Sequence, residues 1–151
     1  MERGNYGRFL LMLLVSFIVM YAVMYANVAS ESHIYLSLSR FYMTILMVVP
    51  MALVMLLFMQ KMYRNRGKNN IIIIAGVLLF TASFVMLRTQ AYIDDERYME
   101  AMIPHHSSAI LSSEHADLKD PEVQALSRQI IESQKREIEQ MKDILKRMED
   151  K

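Results

Sequence analysis

The sequence predicts an all-α protein: three transmembrane helices followed by an extracytoplasmic helical hairpin that forms a four-helix bundle by dimerisation. Three observations carry this reading. Apolar runs of membrane-spanning length fill the first 92 residues; start signals for two amphipathic helices follow; and the loop between the second and third runs holds four positive charges and no negative one. The chain accordingly divides into a membrane domain at 1–92 and a hairpin at 93–151.

Composition narrows the function before any motif is read. Of 151 residues 15 are Met and none is Cys. Disulfides, thiolate zinc sites, thiol redox chemistry and a cysteine nucleophile are therefore excluded within this chain. A formal net charge of +1 offers no electrostatic footprint for nucleic acid.

The first span is expected at about 9–29, because no charged residue occurs from Phe9 to Ala29 and about twenty residues at 1.5 Å each cover the hydrocarbon core. Arg3 and Arg8 would also suit a signal peptide with Val28-Ala29-Ser30 as its cleavage site. The run is longer than a signal core and a second span follows closely, which favours an uncleaved helix. The second span is expected at about 41–62, with Pro50 accommodated by neighbouring helices. The third, about 71–92, reaches full length by extending through Thr89 to Tyr92, with Arg88 snorkelling.

Lys61, Arg64, Arg66 and Lys68 place the second loop in the cytoplasm, and Arg3 and Arg8 place the N-terminus there too. Three spans then put residues 93–151 outside, giving a multi-pass protein of the cell inner or plasma membrane with lipid as its first partner. Met43, Met47, Met51, Met55 and Met59 recur every fourth residue along the second span. Such a row drifts about 40° per step and winds around the helix. With no Asp, Glu or His beside it in the bilayer, packing explains it better than an ion path.

Beyond the membrane, Asp94 reads as an N-cap with Asp95 and Glu96 at the positive helix end, and a helix is expected from about Asp95 to Asp117. Asp120-Pro121 caps and opens a second helix to about Met148. Its inward stripe is Ser127, Ile131, Gln134, Ile138, Met141, Leu145 and Met148. Gln134 interrupts that stripe, so its amide either pairs across the bundle or supports imidazoles opposite. A hairpin of this size has little interior, which is the argument for a homodimer.

The stretch from Tyr98 to His106 concentrates soft and borderline metal ligands. On a helix Met99, Met102 and His106 share a sector of about 60°, and His105 lies about 60° beyond Met102. Thioethers favour Cu(I) and similar soft ions, and imidazole accepts copper or zinc. Pro104 suggests a kink that aims the histidines or a fresh helical start beneath them. His115, more than two turns on, is a peripheral ligand or a solvent residue.

Met102-Ile103-Pro104-His105-His106-Ser107-Ser108-Ala109-Ile110, then Asp120-Pro121-Glu122-Val123, Leu126, Ile130-Ile131, Gln134, Glu137-Ile138 and Met141, together resemble the domain-of-unknown-function 305 family (DUF305), of ferritin-like helical fold. The resemblance implies an extracytoplasmic helical domain that binds copper or silver through Met102, His105, His106 and Met141, with Gln134 and Glu137 supporting. Leu111, Ser112 and Ser113 stand where many members carry a Met, and only one copy of the motif occurs. Both departures argue against high-capacity storage.

The function expected is a membrane-anchored extracytoplasmic metal-binding protein in copper or silver homeostasis, with a copper ion as cofactor and a metal-handling protein as possible extracytoplasmic partner. The alternative is a structural or interaction module of a membrane assembly with no metal. An enzyme is not expected, since no Glu-x-x-His pair of the di-iron kind occurs, and Ser107 or Ser108 beside His106 makes no triad without an orienting acid, which sequence spacing does not place. The topology yields a direct prediction: a reporter fused after Lys151 is expected to be active only outside the cytoplasm, and cytoplasmic activity would contradict the three-span reading.

Overall fold

The computed structural model describes the backbone of residues 2–150 and the side chains of residues 5–150; the Arg3 side chain and Lys151 lie outside the described residues. Five α-helices and no strand occur among the described residues: α1 Glu2–Val23, α2 Leu38–Phe58, α3 Arg66–Thr89, α4 Asp95–His115 and α5 Pro121–Glu149. A single 3-10 turn, Glu31–His33, interrupts the connection between α1 and α2. Segments 5–23, 38–58 and 66–89 are long and apolar enough to cross a membrane.

The chain forms two compact units. Residues 1–23 and 39–92 make one; residues 24–38 and 93–151 make the other. The second unit thus takes in a segment from the α1–α2 connection, which the sequence places within the membrane domain.

In the first unit α1, α2 and α3 meet around Tyr6, Phe9, Ala52, Leu56 and Tyr63. The Tyr6 hydroxyl donates to Asn69 Oδ1 at 2.7 Å and accepts from the Asn65 backbone N–H at 3.2 Å. Asn65 also caps α3 by accepting from the Lys68 N–H at 3.0 Å. This cap starts α3 five residues before the expected Ile71. At the other end Gln90 adopts φ 52°, a left-handed cap, so the helix stops at Thr89 and does not run on to Tyr92. A side chain at Gly76 would press Leu53 Cδ2 at 3.2 Å, so glycine permits the close approach of α2 and α3. The methionine row flanks the buried α2 face of Val48, Val49, Ala52 and Leu56: Met47 is exposed, as is Met59 just past the end of α2, and Met55 packs on the aromatic cluster.

The second unit is the α4–α5 hairpin with residues 24–38 as a strap. Asp94 accepts from the Arg97 N–H at 3.0 Å, and Asp120 accepts from the Glu122 and Val123 N–H groups at 2.8 and 3.1 Å, so both helices start where their caps predict. Pro104 lies inside one continuous α4, which is not restarted there. Met99, Ile103, Ile110, Ile138 and Leu145 form the core, and Tyr35 of the strap packs against it. Ile138 and Leu145 are therefore covered within one chain.

The first helix was expected to reach Ala29, yet it ends at Val23 because the following residues bond elsewhere. Asn27 donates to Ser108 Oγ at 2.8 Å, and the Ala29 N–H donates to Ser107 Oγ at 2.7 Å. His33 Nδ1 lies 2.9 Å from the same hydroxyl, and the Ser37 N–H donates to the Tyr25 hydroxyl at 2.9 Å. Ser107 is fully buried. Its hydroxyl accepts the Ala29 N–H and also bonds His33 Nδ1, so a single side chain holds two points of the strap.

Ser107→Ala removes both contacts, and because the Ala29 N–H lies on an exposed residue that water can reach, the cost is that of the lost bonds, about 1 kcal/mol each. Hydrogen exchange is expected to quicken across 27–35 while the centre of α5 stays protected. Unchanged strap protection in that variant would refute this role.

Candidate functional site

The pleat of the hairpin brings side chains from facing turns of α4 and α5 into one cleft of about 470 Å³. Met99 and Met102 come from α4, and Met141 and Met148 from α5; His106 and Glu137 close one end. Helical spacing accounts for each pair. Steps of three and four keep Met99, Met102 and His106 on one face of α4, and Glu137, Met141 and Met148 on the facing side of α5. Met99 also belongs to the core, so the cleft is an opening in the hydrophobic interior with four thioethers in its walls.

His106 is held at both nitrogens. Nδ1 donates to the Met102 carbonyl at 2.9 Å, and Nε2 lies 2.7 Å from Glu137 Oε2. Glu137 Oε1 in turn accepts from the Ser133 hydroxyl at 2.7 Å. That bond first, and the His106 bond next, hold the Glu137 carboxyl below the usual carboxylate range. With a carbonyl on one side and a carboxylate on the other, both ring nitrogens of His106 are already engaged by oxygens in this arrangement.

The other expected ligands stand apart. His105 is exposed, its ring centroid 6.1 Å from that of His106, and it does not line the cleft. His115 is exposed, its Nδ1 3.0 Å from the Leu111 carbonyl. Gln134 is half-buried and lies outside the cleft lining, so among the described residues Glu137 is the group that orients an imidazole here. Met148, assigned to the inward stripe and not to a ligand set, is the cleft residue the sequence reading passed over. No group of three or more His, Cys, Asp or Glu suited to a metal occurs among the described residues.

His33 belongs to the strap itself and docks on α4 through Ser107. Burial, and secondarily the Lys142 ammonium, push its imidazole below the ordinary value of 6.5, with Glu139 opposing. A neutral His33 protonated at Nε2 is the form that accepts the Ser107 proton at Nδ1.

A family model described as a domain of unknown function (DUF305) matches residues 87–151. The chain is also 38% identical over 146 residues to "Uncharacterized protein L153" of Acanthamoeba polyphaga mimivirus, covering 93% of each chain. The similarity therefore takes in the apolar helices as well as the hairpin. No solved structure matches.

Two acid transitions are expected, in a fixed order. The lowered His33 value means that its contribution to stability is present above pH 6.5 and is lost as pH falls through the folded value. The lowered Glu137 value means that its contribution is present above 4.5 and is lost only below that. Hydrogen exchange measured while pH is lowered is expected to release the strap first and the His106 and Glu137 turns second, and His33→Gln is expected to remove the first step alone. Simultaneous release of both would contradict the assignment.

Proposed function

The chain belongs to the DUF305 family, and on that premise we propose that it is a membrane-anchored extracytoplasmic protein that binds Cu(I) or Ag(I) through thioethers. The single observation carrying this reading is the convergence of Met99, Met102, Met141 and Met148 on one cleft. Thioether sulfur is neutral, soft and indifferent to pH, which suits a soft monovalent ion and discriminates against Zn, Mg and Ca. Glu137 and Asp95 line the cleft as carboxylates and Arg147 as a cation, with Glu137 bonded to His106. His106 joins the donor set only by leaving Glu137, and imidazole ligation competes with protons whereas thioether ligation does not.

The role fitting this site is a buffer or chaperone in metal homeostasis, without a catalytic step, exchanging its ion with an extracytoplasmic partner. The three apolar helices anchor it in the inner or plasma membrane, with the basic loop cytoplasmic. A ferritin-like four-helix bundle would follow from pairing two hairpins. Since Ile138 and Leu145 are already buried in one chain, that pairing would rest on other residues, and Val123 and Leu126 of α5 are exposed. One observation favours the second reading, a metal-free structural module: both nitrogens of His106 are already engaged.

Competition titration of Cu(I) into the full-length protein in detergent separates the readings. Replacing Met102 and Met141 together by Leu keeps the apolar volume and is expected to weaken Cu(I) binding at least roughly tenfold. His105→Ala is expected to leave affinity within about threefold, because that ring lies outside the cleft; His106→Ala is expected to flatten any pH dependence of binding, since imidazole ligation competes with protons. Unchanged Cu(I) affinity in the double Met variant would favour the structural module.

A further inference from the structure

The near-neutral net charge conceals a separation. The unit made of residues 1–23 and 39–92 carries eight Lys and Arg against one Glu, and the unit made of 24–38 and 93–151 carries nine against fifteen Asp and Glu. Within the first unit Lys61, Arg64, Arg66 and Lys68 crowd one short loop, while no Asp or Glu occurs anywhere from residue 32 to residue 93. Tyr6 of α1 bonds to Asn65 and Asn69, so the start of α1, with exposed Arg8, stands level with that loop.

The loop does more than concentrate charge. Between the end of α2 and the start of α3 it borders a cleft of about 420 Å³. Leu56, Leu57 and Ile73 form an apolar wall, and Arg64, Arg66 and Asn70 form a polar rim. Both arginines are exposed, and among the described residues neither has a carboxylate partner. Arg64 donates through Nε to the Lys61 carbonyl at 3.0 Å, which fixes the guanidinium with its terminal nitrogens still available. Two guanidinium groups favour a phosphate or another oxyanion. The apolar wall continues into the exposed surface of a span, where Leu57 and Phe58 are 57% and 87% exposed, and that decides between a soluble anion and a lipid.

We propose that this cleft is a site for an anionic phospholipid, with its phosphate between Arg64 and Arg66 and an acyl chain along Leu57 and Ile73. The inference rests on the reading of the apolar helices as membrane spans and is independent of the methionine cleft. The lipid meets the charge requirement of the loop, since the cytoplasmic leaflet attracts basic juxtamembrane residues at about 1 kcal/mol each.

The test uses the full-length protein in phosphatidylcholine nanodiscs containing a minor fraction of phosphatidylglycerol, with bound phosphatidylglycerol quantified by native mass spectrometry across its concentration. Arg64→Gln with Arg66→Gln removes two charge-assisted contacts to one phosphate and is expected to weaken phosphatidylglycerol binding roughly 30-fold. Arg8→Gln with Lys61→Gln removes the same charge outside the cleft and is expected to cost less than about threefold. Equal losses from the two pairs would reduce the effect to diffuse attraction and overturn the site. Displacement by inorganic phosphate at concentrations comparable with the lipid would also overturn it, in favour of a soluble anion. If the glutamine pair loses helicity, Arg66→Gln alone is expected to cost roughly fivefold, and unchanged affinity there refutes the proposal. Cu(I) titration of the same variants reads the methionine cleft separately.

Discussion

The buried hydroxyl of Ser107 is the contact on which the C-terminal unit depends. Two helices of this length enclose too little apolar surface to be comfortable alone, and the strap of residues 24–38 adds a third layer to them. That layer is polar in its own backbone, so it docks only where its groups find partners. Ser107 supplies two partners at one point, to Ala29 and His33, and Tyr35 then covers the core beside it. Because the strap runs on into α1 and α2, this hydroxyl also ties the hairpin to a segment bounded by two apolar helices.

The same turn of α4 separates two tasks between neighbours. Ser107 faces the strap, and His106, one residue earlier, faces α5 and Glu137. The imidazole is thereby engaged at both nitrogens, while the methionines beside it are the cleft's soft bases. The cleft gathers four methionines, with Asp95, Glu137 and Arg147 also in its lining, and thioether sulfur is the donor in it that favours a soft monovalent ion over hard divalent ones.

How much of this was legible in the sequence depends on the range of the forces involved. Caps are local, and Asp94, Asp120 and Pro121 announced both helix starts. Periodicity is local too, and it placed Met99, Met102 and His106 on one face. The strap was illegible: it has no helical or strand period, and its partners lie 78 and 74 residues away in the chain. Those distant bonds also explain why α1 stops at Val23 although its apolar run continues to Ala29. The His106–Glu137 pair needs the register between two helices, which spacing within either one does not give. Met148 was visible as a stripe residue, but nothing in the stripe distinguishes a thioether that lines an opening from one that fills a core.

The central claim is that the methionine cleft provides the donors for a soft metal ion. X-ray absorption at the copper edge of the full-length protein loaded with one equivalent of Cu(I) tests it most directly. The account predicts a first shell dominated by sulfur, which loses sulfur scatterers when Met102 and Met141 are replaced by Leu and persists when His105 is replaced by Ala. A first shell of nitrogen and oxygen alone would contradict it.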